Sequence, residues 1–169
     1  SITLIHNATQ GNSILAGEQM AHLGREYLFD SLLGFEYAIG PRSFFQINPL
    51  AAETLFSKAL EFAGEAERCL ELFAGVGALT FGLAKQFSQV RAVEIVPEAV
   101  DALRKRQRQL GVDGVSAFCG DADSVGVEQL EAFEPEVCLA DPPRKGLGAA
   151  LATALGHSSV KRLVLLSCE

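Results

Sequence analysis

Long apolar runs are missing from this sequence, and so is an opening stretch that is basic and then apolar. Neither a membrane-spanning helix nor a secretory leader is therefore expected. Basic charge is also scarce. Lys and Arg number 14 against 21 Asp and Glu, a net charge of −7. A free-standing nucleic-acid binder needs Lys and Arg for its phosphate contacts, so that class is disfavoured. An enzyme whose binding module lies elsewhere in a longer protein is not. The four cysteines, Cys69, Cys119, Cys138 and Cys168, form no CxxC pair and share no metal-ligand spacing with His. Cys69, Cys119 and Cys138 are expected to be small buried hydrophobes. The expected setting is a reducing cytoplasm, with no membrane partner.

What is present points to an α/β protein. The chain has 169 residues, 49% of them hydrophobic, enough for one domain with a substantial core. Residues 1–48 read as a short β-rich lead-in, with strand-like stretches at Ile2–Ile5, Ser13–Ala16 and Phe35–Ile39. From residue 49 to 169 helices alternate with apolar strands, the pattern of βαβ units. Helices are expected over Pro49–Ala63 (Asn48 as N-cap), Ala78–Phe87, Pro97–Leu110, Val125–Phe133 and Leu147–Leu155. Strands are expected over Cys69–Ala74, Val90–Ile95, Val115–Cys119, Val137–Ala140 and Leu163–Ser167. This predicts a doubly wound, mostly parallel, Rossmann-like sheet of five strands. The chain begins at Ser1 and stops at the end of its fifth strand. It is therefore expected to be a C-terminally incomplete piece with an open edge at Leu163–Leu166, prone to self-association.

Ligands of such sheets bind beyond the carboxyl ends of the strands. The chemically informative residues fall there. In Glu71-Leu72-Phe73-Ala74-Gly75-Val76-Gly77 a strand runs into a helix through a turn whose Gly75 and Gly77 let the backbone approach a ligand. Glu94, about twenty residues on, ends the second strand, where an acid can grip a ribose diol. A dinucleotide turn has a third glycine, but Thr80 stands in that place, so S-adenosylmethionine suits the site better. Asp121 ends the third strand, either close to an adenine or as an N-cap. Asp141-Pro142-Pro143-Arg144 ends the fourth, a rigid exit in which Asp141 can accept from a cofactor amine or a base edge. Cys168 ends the fifth. Methylating a pyrimidine carbon needs such a thiol, because uracil C5 is a poor nucleophile until a thiolate adds at C6; methylating nitrogen does not.

Together with Ser43-Phe44-Phe45-Gln46-Ile47-Asn48 and Leu166-Ser167-Cys168, these stretches make the chain resemble the bacterial-type RNA (uracil-5)-methyltransferases, over nearly its whole length. The resemblance implies a class I S-adenosylmethionine-dependent fold. It implies that Gln46, Phe73, Glu94 and Asp141 bind the cofactor, that Gln46 and Asp141 touch the base, and that Cys168 is the nucleophile. The substrate would be a uridine of transfer or ribosomal RNA. Ala78 departs from the family, which often has a polar residue there. The family's general base would lie after Glu169, and an iron–sulfur cluster and RNA-binding barrel, where present, upstream.

Two other readings stand beside this one. One is a nitrogen-directed RNA or DNA methyltransferase with an inert Cys168. The other is a catalytically dead module that binds cofactor or protein. Phe44 and Phe45 read as core. His6, His22 and His157 read as surface or loop residues. The run Arg104 to Arg108 is read first as a solvated helix face and second as an RNA contact.

Overall fold

A computed structural model describes residues 1–8, 17–40 and 48–167. Two antiparallel hairpins come first, β1 (Ile2–His6) with β2 (Glu18–Leu23), and β3 (Leu28–Leu32) with β4 (Phe35–Ile39). The second turns on two residues, Leu33 and Gly34, both with positive φ (54° and 76°), the conformation that matches strand twist in a two-residue hairpin loop. Helix α1 (Pro49–Ala63) starts where Asn48 accepts the Ala51 N–H at 3.1 Å and stops at Gly64.

The remainder is a doubly wound α/β unit. It comprises β5 (Ala66–Leu72), α2 (Thr80–Leu83), β6 (Phe87–Glu94), α3 (Pro97–Leu110), β7 (Val115–Cys119), α4 (Val127–Phe133), β8 (Val137–Ala140), α5 (Ala149–His157) and β9 (Arg162–Leu165). All strand pairs in this sheet are parallel, in the order β7-β6-β5-β8-β9. The chain winds outward from β5 to β7, then crosses back to β8. The strand order reverses between β5 and β8, and there the crevice for a ligand opens.

Alternation along the strands builds a core on each face. Cys69 of β5 with Val137 and Leu139 of β8 joins Phe56 and Ala59 of α1 and Leu103 of α3. Leu70 and Leu72 with Cys138 and Ala140 join Leu130 of α4 and Leu151 of α5. Each fully buried leucine contributes about 1.5–3 kcal/mol.

Several sequence expectations are corrected. The helix expected over Ala78–Phe87 shrinks to one turn, because Phe87 already pairs with Ala66 as the start of β6. β5 begins at Ala66 and ends at Leu72, since Phe73 turns to a φ of 62°. The helix expected from Val125 starts as a π-helical turn, Ala122–Gly126. The helix expected over Leu147–Leu155 lies at Ala149–His157, and β9 ends at Leu165. Strands β2 and β3 were not expected. Cys119 is exposed, not buried, because it ends the edge strand β7. His6 and His22 lie in hairpin strands and His157 ends α5. The expected strand Ser13–Ala16, with Phe44 and Phe45, lies outside the described residues.

Candidate functional site

The carboxyl end of β5 is the centre of the site. Phe73 adopts a left-handed backbone conformation rarely tolerated by a bulky residue, and Gly75 and Gly77 follow with φ of 56° and 89°. The two glycines differ. A Cβ on Gly77 would sit 2.9 Å from the Leu103 side chain and 3.2 Å from Phe81, so this glycine is needed for packing. A Cβ on Gly75 would meet nothing within 4 Å and would project into open space. The backbone at Gly75 is therefore bare toward a cleft.

That cleft is open to solvent. Its floor is the turn Phe73–Val76; Ala78 and Leu79 continue it, and Leu32 of β3 and Phe56 of α1 are further walls. Among the described residues two carboxyl groups line it, Glu71 and Asp141, and no Lys, Arg or His does. Asp141 is half-buried where the chain leaves β8, and loss of solvent raises its carboxyl above the ordinary range.

Glu71 reads in the sequence only as one residue of a turn motif. Strand alternation puts it on the same face as Cys69, inside the core, with 2% of its surface exposed. Thr80 Oγ1 donates to its Oε2 at 2.5 Å. Burial pushes the Glu71 carboxyl up to about 8; the Thr80 bond opposes this, and the charges of Asp141 and Glu94 add to it. The signal that could have found it is parity, since an acid stands at a core position of a central strand. Tyr37 of β4 lies on the same side, and its hydroxyl donates to the Ala78 carbonyl at 3.2 Å, fastening the hairpin to the turn.

Glu94, at the end of β6, stitches the neighbouring strand end to this turn. Its Oε2 accepts the Gly75 N–H at 2.8 Å and its Oε1 accepts the Val96 N–H at 2.9 Å. Each oxygen keeps a lone pair for a further donor. Asp121 is exposed and accepts the Asp123 N–H at 2.8 Å, which is the capping geometry. Asp123, not singled out in the sequence, reaches across to accept the Leu151 N–H at 2.9 Å and so caps α5. A Cβ at Gly148 would collide with the Asp123 carboxylate, so the loop from Asp141 to Gly148 is held at both ends.

Of the residues expected at a site, Phe73, Gly75 and Asp141 line the cleft. Glu94 borders it through Gly75, Gly77 supports it from behind, and Asp121 stands apart. Gln46 and Cys168 lie outside the described residues. The Leu166 N–H donates to the Ala140 carbonyl at 2.9 Å, so the chain at Leu166 runs beside the end of β8, next to Asp141. Among the described residues no helix is long and apolar enough to cross a membrane.

The lining chemistry decides what fits. Two acidic groups with no basic partner among the described residues disfavour phosphates and favour a cation with hydrogen-bond donors. A bare, positive-φ glycine admits a ligand against the backbone.

Comparison with known proteins adds to this geometry. Residues 50–168 match the model of a family described as conserved hypothetical protein 95. An uncharacterized RNA methyltransferase of Clostridium tetani is 32% identical over 167 residues, covering 96% of this chain and 36% of that protein. One of Lactiplantibacillus plantarum is 33% identical over 166 residues, with the same coverage. The chain thus spans about a third of the length of these relatives. Among solved structures, the Pyrococcus abyssi tRNA (uracil-54, C5)-methyltransferase in complex with S-adenosyl-L-homocysteine superposes with a TM-score of 0.77 at 27% identity, covering 96% of this chain and 40% of that one. A tRNA m1G37 methyltransferase of M. jannaschii shares the fold, with a TM-score of 0.59 at 16% identity, covering 82% of this chain and 42% of that one.

Proposed function

The chain belongs to the family described as conserved hypothetical protein 95, and from that premise we propose that it is the S-adenosylmethionine-binding, catalytic part of an RNA methyltransferase acting at C5 of a uracil. The observation that carries the reading is the cleft between β5 and β8, acidic, free of basic side chains among the described residues and floored by a bare glycine. Such a site suits a cofactor with a cationic sulfonium and no phosphate. The similarity to RNA methyltransferases, one of them specific for uracil C5, supports the substrate class.

In this reading Glu94 accepts the ribose hydroxyls, held ready by its two backbone N–H bonds. Phe73 and Gly75 form the cofactor's bed and Gln46 contributes a polar contact. Asp141 takes the amine of the cofactor or the edge of the base, and its proline-rich exit makes a stiff wall for the ring. The target uridine is flipped out of its RNA to reach the cleft. When bound, S-adenosylmethionine supplies a methyl group on sulfonium, the electrophile that an activated C5 takes.

The activation belongs to Cys168. Its thiolate forms a bond to C6, and the C5–C6 electron pair becomes an enolate nucleophilic at C5. After methylation a base removes the C5 proton, the double bond re-forms and the C6–S bond breaks, returning the thiolate. The resemblance puts that base after Glu169. The test is mass mapping of RNA from cells lacking the gene, before and after treatment with the full-length protein and cofactor. The expected result is the loss and return of 5-methyluridine at one position. Restoration of a nitrogen-methylated base in its place would overturn the assignment to C5.

A further inference from the structure

The mechanism leaves one buried group without a role. Glu71 occupies a core position on the central strand, where a leucine or valine would be stable, and among the described residues nothing cationic neutralises it. The groups around it are Thr80 of α2, its hydrogen-bond donor, with Asp141 after β8 and Glu94 at the end of β6, both of which disfavour its charge. Tyr37 of β4 and Cys69 of β5 feel the same carboxyl. Arg106 of α3, a cation on this side, acts on the Tyr37 hydroxyl. The Glu71 carboxyl also lines the cleft. A carboxyl in such a place keeps its proton while the cleft holds only water.

We infer that Glu71 is a proton-linked selectivity residue, which releases its proton when a net-cationic ligand enters the cleft and thereby favours the methyl donor over its spent product. The inference rests on the cofactor part of the proposed function and is independent of the atom methylated. S-adenosylmethionine carries a sulfonium, an ammonium and a carboxylate, one net positive charge; S-adenosylhomocysteine has lost the sulfonium charge and is neutral overall. Entry of the donor supplies the missing counter-charge. The Glu71 O–H bond breaks, the proton passes to solvent and Thr80 donates to the carboxylate that remains. Entry of the product supplies less, so the carboxyl stays protonated. Above neutral pH the cleft then discriminates against the product, which must leave after each cycle.

Burial pushes the carboxyl up to about 8 in the free protein, so its proton is in place near pH 7 and available for release. Glu71 acts as a positioning charge and touches no reacting atom.

Titration calorimetry of the protein at pH 7, in phosphate and in Tris, reads the protons released. The expected result is roughly one proton for S-adenosylmethionine and clearly less for S-adenosylhomocysteine, with the donor-to-product preference rising by up to about tenfold per pH unit toward pH 8. An analogue with an ammonium in place of the sulfonium should behave like the donor. Glu71→Gln keeps volume and an acceptor for Thr80, and should abolish both proton release and pH dependence. Equal release with both ligands, or release that persists in Glu71→Gln, would overturn the inference. Infrared spectroscopy gives a second readout in the unmutated protein: a protonated-carboxyl band should vanish with donor and remain with product. A band unchanged by donor contradicts the inference even if Glu71→Gln fails to fold. Binding without proton release would sink the inference and leave the cofactor reading standing, whereas no binding of either ligand would remove both.

Discussion

The two ends of the parallel sheet each carry a glutamate at a strand junction, and the two are treated in opposite ways. At the amino end Glu136, just before β8, accepts the N–H groups of Glu67 at 2.9 Å and Arg68 at 3.0 Å, with Lys161 3.9 Å away. Its backbone also joins Arg68 and Lys161, so one residue ties together the starts of β5, β8 and β9. The bond from the Arg68 N–H leads the causes that hold its carboxyl below the ordinary range. At the carboxyl end Glu71 is buried beside Asp141 and Glu94, and its carboxyl is raised. One end gives its acid donors and cations; the other, among the described residues, gives it no cation. Glu136 serves the fold, whereas Glu71 is inferred to await a ligand.

The sharpest way to break this contrast is the pH dependence of stability, because the two ends carry opposite signs. For Glu71 the folded-state value is raised. Below the unfolded value near 4.5 its contribution is fully present, and it is lost as pH rises to about 8. The loss should run at roughly 1.4 kcal/mol per pH unit across that window. Urea denaturation of Glu71→Gln against the unmutated protein should show a difference that grows between pH 5 and 8 and then levels. For Glu136 the folded value is lowered, so its contribution is present above the unfolded value and lost as pH falls through the folded one.

Next in size is the difference between the two glycines of the turn. Gly77→Ala has to displace Leu103 and Phe81 at a positive φ, and should cost about 2–3 kcal/mol of stability by thermal denaturation. Gly75→Ala meets no atom and should cost only about 1 kcal/mol, while its methyl group intrudes on the cleft and weakens cofactor binding. Equal destabilisation by both would show that Gly75 is packed like Gly77. Glu94→Ala should weaken S-adenosylmethionine binding by about 1–3 kcal/mol, the loss of charged hydrogen bonds. Unchanged affinity by calorimetry in a folded variant would remove Glu94 from the site.

Smaller still is Asp123→Ala, which uncaps α5 and should cost about 1 kcal/mol. Hydrogen exchange at Leu151 should quicken while the amino ends of the strands stay protected. Glu136→Gln should change least, a small loss of stability present at neutral pH that disappears as pH falls through the folded carboxyl's lowered value.

Much of this architecture was legible because its boundaries are marked chemically. Asn48 and Pro49 start α1, Pro97 starts α3 and Gly111 stops it in a left-handed conformation. Helix α2 reads too long in the sequence because apolar residues continue through Phe87, and only pairing with Ala66 shows that Phe87 belongs to a strand. β5 looked shorter because Glu67 and Arg68 interrupt its apolar run, although both N–H groups are satisfied by Glu136, far along the sequence. At the site, glycines and strand-end acids declare themselves by spacing. Glu71 does not, since its character comes from strand parity and from Thr80, Tyr37 and Asp141, which the fold brings together. Asp123 is hidden for the same reason, its partner Leu151 lying on another helix.

The central claim is carbon methylation of uracil through Cys168, and trapping on fluorinated RNA tests it most directly. Fluorine at C5 cannot be removed as a proton, so a methylated C6–S adduct cannot resolve. The full-length protein, given S-adenosylmethionine and substrate RNA containing 5-fluorouridine, should form a protein–RNA band that survives denaturing electrophoresis. Cys168→Ala should give no such band while still binding the cofactor. A band that persists in Cys168→Ala, or RNA methylated without any adduct in the unmutated protein, would contradict the account.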